Sequence, residues 1–182
     1  MKRRISITLT LTILSMLFVL SLPGLWPPVS ATGGPLPALQ GKDALNHPQP
    51  FIVALQGQAN PTPTEDSCVL VNTEAATGSA LGIGQIAWAS REVVNLCSNA
   101  DGAEVKGEFA ITAANGDQLF GVYQTLAKLD FESNEITAHG RYQIMGGTGK
   151  FNGASGEGII GASGSLAPPF EFRGVLLGRV SF

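Results

Sequence analysis

Between Pro63 and Pro168 the chain has no proline, and over most of that stretch apolar and polar residues alternate with a period close to two. That pairing constrains the fold more than any other feature. Alternation places one face of a segment in a core and the other in water. A run without proline leaves every backbone N–H able to enter a ladder. Val105, Gly107, Phe109, Ile111 and Ala113 share one face, against Lys106, Glu108 and Thr112. Asn115-Gly116 follows and predicts a two-residue type I′ hairpin, since both residues tolerate positive φ, with Asp117–Thr125 returning as the partner strand. Ile136, Ala138, Gly140, Tyr142 and Ile144 alternate with Thr137, His139, Arg141 and Gln143. The final run sets Phe170, Phe172, Gly174, Leu176, Gly178, Val180 and Phe182 against Glu171, Arg173, Arg179 and Ser181. No segment beyond the leader sustains a helical period. Gly82, Gly84, Gly121, Gly140 and Gly174 suit strands that bend sharply. The expectation is an all-β domain, a closed antiparallel barrel of about eight strands rather than a flat sandwich.

The N-terminal part reads differently. Lys2, Arg3 and Arg4 precede an apolar run from Ile5 to Leu22, Pro23-Gly24 breaks it, and Val29-Ser30-Ala31 forms a small-residue cleavage site. Residues 1–31 are read as a signal peptide cleaved after Ala31; a retained anchor is the competing reading, against which the run's Thr and Ser content counts. No Cys follows the run to carry a lipid, and no stable membrane anchor is expected after cleavage. Pro35, Pro37, Pro48 and Pro50 make residues 32–50 a flexible linker. Phe51–Leu55 reads as a first strand and Pro61-Thr62-Pro63-Thr64 as a loop, so the barrel domain is set at residues 51–182.

Charge and cysteines narrow the setting. Lys2, Arg3 and Arg4 are three of the 11 basic residues, and none of the 14 acidic ones precedes Ala31, so the remainder carries a net charge of −6. An acidic domain without a basic cluster repels phosphate backbones, and no nucleic acid partner is expected. Cys68 and Cys97, the 2 cysteines present, suit one disulfide in an oxidising compartment. The expected location is secreted or otherwise extracytoplasmic. Nothing in the sequence sets an oligomeric state.

Several catalytic patterns match in letters and fail in context. Gly156–Gly161 spells a dinucleotide fingerprint, but no helix can follow it through Ala162–Ser165 and two prolines. Gly149-Lys150 lacks the Ser/Thr of a phosphate loop, because Phe151 stands there. Gly153-Ala154-Ser155-Gly156-Glu157 misses the last glycine of a nucleophile elbow. His139 falls on the polar side of its strand, and Asp130, Glu132 and Glu135 read as a polar turn rather than a calcium loop. No residue receives a catalytic role from spacing, and neither a cofactor nor a metal is called for.

Gly146-Gly147-Thr148-Gly149-Lys150-Phe151, with Ala154 and Gly156 close behind, reads as a tight structural turn whose Phe151 plugs a barrel end. This segment resembles the signature of the allene oxide cyclase and dirigent-like barrels. Ala113-Ala114-Asn115-Gly116-Asp117-Gln118-Leu119 is similar to the hairpin of their exported bacterial members. The resemblance covers roughly Phe51 to Phe182. It implies an eight-stranded antiparallel barrel with a central cavity. In the plant relatives such barrels steer a reactive substrate, but only the turn motifs match, so no activity is carried over.

A small closed barrel is either filled by side chains or holds one small ligand. Gly107, Ala113, Gly121, Ala138, Gly140, Gly174 and Gly178 on the inward faces are expected to leave room, with Phe109, Tyr123, Tyr142, Phe170 and Phe172 as candidate cavity residues. The expected function is an exported non-catalytic barrel, binding a small apolar or aromatic molecule or serving as a surface interaction module. The alternatives are a cyclase- or dirigent-like isomerase and a purely structural envelope protein. An apolar cavity supports binding, a buried acid or base at its foot supports catalysis, and a filled interior leaves the structural reading.

Overall fold

A computed structural model describes residues 47–99 and 102–182. The leader, and the proline-rich segment as far as residue 46, lie outside the described residues. Eight strands follow one another: β1 (Gln49–Pro63), β2 (Val69–Ala80), β3 (Gly84–Asn99), β4 (Gly102–Ala113), β5 (Gln118–Asp130), β6 (Glu135–Gly147), β7 (Ser155–Ser165) and β8 (Glu171–Ser181). Each pairs antiparallel with the next and β8 with β1, which closes the barrel. A 3-10 turn at Gly149–Phe151 is the only helical piece among the described residues. The fold is the all-β closed barrel that the alternation predicts.

Paired positions can be followed around the ring from Phe51 through Gly178, Gly158, Tyr142, Tyr123, Gly107, Glu92 and Asn72. The path re-enters β1 at Pro61, ten residues beyond Phe51. This stagger tilts the strands and sets a width that side chains can fill or one small ligand can occupy.

Three local expectations change. β1 starts at Gln49 and runs on through Pro61 and Pro63, where a loop was expected. The backbone explains it: the Ala59 N–H donates to Phe170 O at 3.0 Å, so odd residues of β1 point their N–H groups toward β8. β8 pairs with β1 only as far as Gln58, so both prolines lie where no ladder bond is lost. The Asn115-Gly116 hairpin is not type I′. Gly116 N–H donates to Ala113 O and Ala113 N–H to Asp117 O, each at 2.9 Å, and of the two central residues only Gly116 has positive φ (89°). This is a three-residue loop with glycine in the left-handed position. Phe170 precedes β8, in the loop, instead of belonging to the strand.

The barrel has one packed and one open end. Phe51, Ile111, Leu119, Ile144 and Val180 fill the packed end. Phe151 caps it, 2% exposed and 5.2 Å from the ring of Phe182. The two signature turns meet there. Thr148 N–H donates to Gln118 O at 2.8 Å, Gln118 N–H to Thr148 Oγ1 at 3.0 Å, and Lys150 N–H to Asp117 Oδ2 at 3.2 Å. Asn115 Nδ2 donates to the same carboxylate oxygen at 2.7 Å.

Candidate functional site

A layer of aromatic rings divides the interior. Trp88 stacks on Phe109 at 4.8 Å, Tyr142 meets the edge of Phe109 at 6.4 Å, and Phe51 lies 6.1 Å from Tyr142. The inward glycines accommodate these rings: a Cβ on Gly121 would overlap Phe109, one on Gly107 would overlap Tyr123, and Tyr142 lies over Gly158 and Gly178. Space at Gly107, Gly121 and Gly178 is therefore occupied by aromatic rings. Burial raises the Tyr142 phenol to about 12, and its hydroxyl has no hydrogen-bond partner.

Beyond this layer, toward the open end, lies a cavity of about 350 Å³. Its walls are mostly apolar, with Leu70, Val94, Val105, Ala127, Leu129 and Ile160 among them. At its inner end stands a polar cluster made by β2, β3 and β5. Asn72 and Glu92 are direct cross-strand partners, as are Glu74 and Ser90. Asn72 Nδ2 donates to Glu92 Oε1 at 2.7 Å, and the Tyr123 hydroxyl donates to Glu92 Oε2 at 2.5 Å. Tyr123 reaches Glu92 across β4 because Gly107, paired with both residues, has no side chain. Ser90 Oγ and Trp88 Nε1 donate to Glu74 Oε2 at 2.7 and 3.3 Å.

The electrostatics follow from burial. Glu74 is raised from 4.5 to about 7, first by loss of water and then by the neighbouring Glu92 carboxylate, against the two hydrogen bonds it accepts. Burial and both carboxylates also hold the Tyr123 phenol well above its ordinary value. Protonated Glu74 can donate a hydrogen bond and ionised Glu74 can accept one, so the cluster can exchange a proton near neutral pH.

Of the candidate cavity residues, Tyr123, Phe170 and Phe172 line the cavity. Phe109 and Tyr142 do not; they pack in the layer beneath it. The turn residues Gly146, Gly147, Thr148, Gly149 and Phe151, with Asn115 and Gly116, sit at the opposite, packed end. Cys68 and Cys97 form a disulfide with Cα atoms 5.3 Å apart. It ties the approach to β2 to the irregular end of β3 beside the cavity mouth, where Leu96 N–H donates to Cys68 O at 2.7 Å. His139 is exposed on the outer face. Asp130 Oδ1 accepts from the backbone of Glu132 and Ser133, and these bonds, that to Ser133 foremost, lower its pKa. Gly156–Gly161 lies inside β7.

Glu74 and Glu92 were not among the candidates. A signal existed for one of them: Ile86, Trp88, Ser90, Glu92 and Val94 share parity, so the apolar face of β3 carries Glu92 inward. For Glu74 the pattern is ambiguous, because Val69, Val71 and Ala75 lie on the opposite parity while Leu70, Ala76 and Ala80 share its own.

No family model, no curated protein and no solved structure matches the chain. No helix of the described residues is long and apolar enough to cross a membrane.

Proposed function

We propose that this chain is an exported, non-catalytic barrel of the allene oxide cyclase/dirigent-like group whose open half holds one small apolar or aromatic molecule. The cavity carries this reading: about 350 Å³, mostly apolar along its walls, with a cluster of polar groups at its inner end, the form of a small-molecule site. Membership is supported by the union of the two signature turns in one hydrogen-bonded unit at the packed end. Export is supported by the disulfide, which suits an oxidising compartment. Native mass spectrometry of the protein recovered outside the cytoplasm tests the assignment. A co-purified small molecule lost on unfolding is expected. Recovery of the whole protein in the membrane fraction with Met1–Leu22 attached contradicts export. Empty protein that also takes up no aromatic probe, neutral or charged, contradicts a ligand site.

A second reading rests on one observation. Glu74, poised near 7 beside Glu92 at the foot of the cavity, favours a cyclase- or dirigent-like isomerase in which the barrel wall orients the substrate and Glu74 moves a proton. If a co-purified molecule is converted to an isomer by the parent protein and left unchanged by Glu74→Gln, this second reading replaces the first.

A further inference from the structure

The inner end of the cavity is richer in acceptors than in donors. Asn72 is only 7% exposed and lines the cavity; its Nδ2 is committed to Glu92, while Oδ1 has no partner. Both oxygens of Glu92 are engaged, by Asn72 and Tyr123. The hydroxyl of Ser90 and the indole N–H of Trp88 are given to a single oxygen of Glu74. A molecule reaching this end therefore meets Asn72 Oδ1 and carboxylate oxygens, with the Thr125 hydroxyl, which can donate or accept, also in the lining.

Charge sharpens the selection. Two carboxylates stand together in a site of low dielectric, and no Lys, Arg or His is among the residues lining the cavity. β1 and β4 bring only Ala59, Pro61, Val105 and Gly107 toward them. Glu171, at the start of β8, adds a third carboxyl group to the lining. An incoming carboxylate or phosphate would be repelled with no cation to receive it, and a neutral molecule would leave the Glu74–Glu92 repulsion in place. An ammonium group removes that repulsion and brings three N–H donors to a set of free acceptors. Apolar walls require the rest of the ligand to be lipophilic.

We propose that the cavity selects a small lipophilic amine, bound as its ammonium ion on Asn72 Oδ1 and the Glu74 and Glu92 carboxylates. The proposal rests on the reading of the cavity as a ligand site and specifies what that site takes. A bound cation favours the ionised form of Glu74, so binding releases a proton wherever Glu74 is protonated in the free protein. Affinity for the amine thus rises with pH through the range in which Glu74 titrates.

Titration calorimetry on the full chain with phenylbutylamine, phenylbutanol and phenylbutyrate, which share one apolar body, tests this. Phenylbutylamine is expected to bind about tenfold more tightly than phenylbutanol, with phenylbutyrate weakest. Its affinity should rise about tenfold from about pH 6 to about pH 8 with proton release, while that of phenylbutanol stays level. Glu74→Gln should remove most of the amine's advantage over phenylbutanol. If phenylbutanol or phenylbutyrate binds as tightly as the amine, the cation preference is overturned and the ligand-site reading stands. Failure of all three to bind overturns both. Should Glu74→Gln not fold, the three-probe series and its pH dependence on the parent protein decide.

Discussion

Glu74 holds its proton more tightly in the barrel than in the unfolded chain, and this has a definite effect on stability. Its pKa rises from 4.5 to about 7 because burial and the Glu92 carboxylate both penalise the charge. The folded state is therefore favoured most below about pH 4.5. That contribution is lost as pH climbs to about 7 and is constant above, with an upper bound of about 3 kcal/mol. Glu74→Gln has no such proton to lose. Relative to the parent, it should gain stability steadily from about pH 5 to about pH 7 and keep the gain at about pH 8. Denaturant midpoints measured across that range check the difference; parallel curves for the two proteins would contradict the assignment. Glu92 was within reach of a parity argument, because Trp88 and Val94 mark its face as the inner one. Glu74 was not. In β2 the inward face carries Asn72 and Glu74 beside Leu70, Ala76 and Ala80, while Val69 and Val71 sit on the other side, and polarity alone then leaves the facing of the strand undecided. A buried polar site blurs the very pattern used to tell inside from outside.

At the level of elements, the packed end acts as one unit built from two turns. Gly149 is its tightest point. Its φ of 55° is left-handed, and a Cβ there would run into the Asp117 carboxylate that accepts from Asn115 and Lys150. Gly149→Val should cost at least about 1–3 kcal/mol from the backbone alone. Gly146 has nothing within 4 Å of the same position and no positive φ, so Gly146→Ala should change stability by less than about 0.5 kcal/mol. Thermal unfolding separates the two. Since the cavity lies at the other end, a folded Gly149→Val protein should bind the same probes; loss of binding with normal stability would make the turn a site. The strands were legible from alternation, and the turns from Asn-Gly and Gly-Gly-Thr-Gly. The hairpin's geometry was not, because the left-handed position falls to Gly116 alone while the Asn115 side chain is taken by Asp117. Pro61 and Pro63 broke the expected strand on paper only; which side of β1 lacks a partner depends on where β8 ends.

For the whole molecule the decisive contacts join the first strand to the last. Gln49 pairs with Val180 and Phe51 with Gly178. No local pattern announces those pairs, so closure was inferred indirectly, from bent strands and from the family resemblance, and the ten-residue stagger could not be read at all. Adjacent ends make the barrel indifferent to where the chain is cut. A permutant of residues 47–182 that begins at Gly82, in the exposed turn between β2 and β3, with Phe182 joined to His47 by a short flexible linker, should form the same barrel. The expected loss is about 1–3 kcal/mol, the cost of reclosing one loop and opening another. Far-UV circular dichroism and phenylbutylamine binding report success; a chain without strand signal would show that the β2–β3 turn is needed to set the fold.

The pairing of β1 with β8 also governs when the protein can exist. The 11 residues of β8 are the last of the strands to be made, and until they arrive both β1 and β7 present bare edges around an uncovered interior. A chain synthesised from its N-terminus cannot complete the ring early. Ring closure therefore waits for the final strand. Connectivity thus works as a clock that fixes the earliest moment of closure.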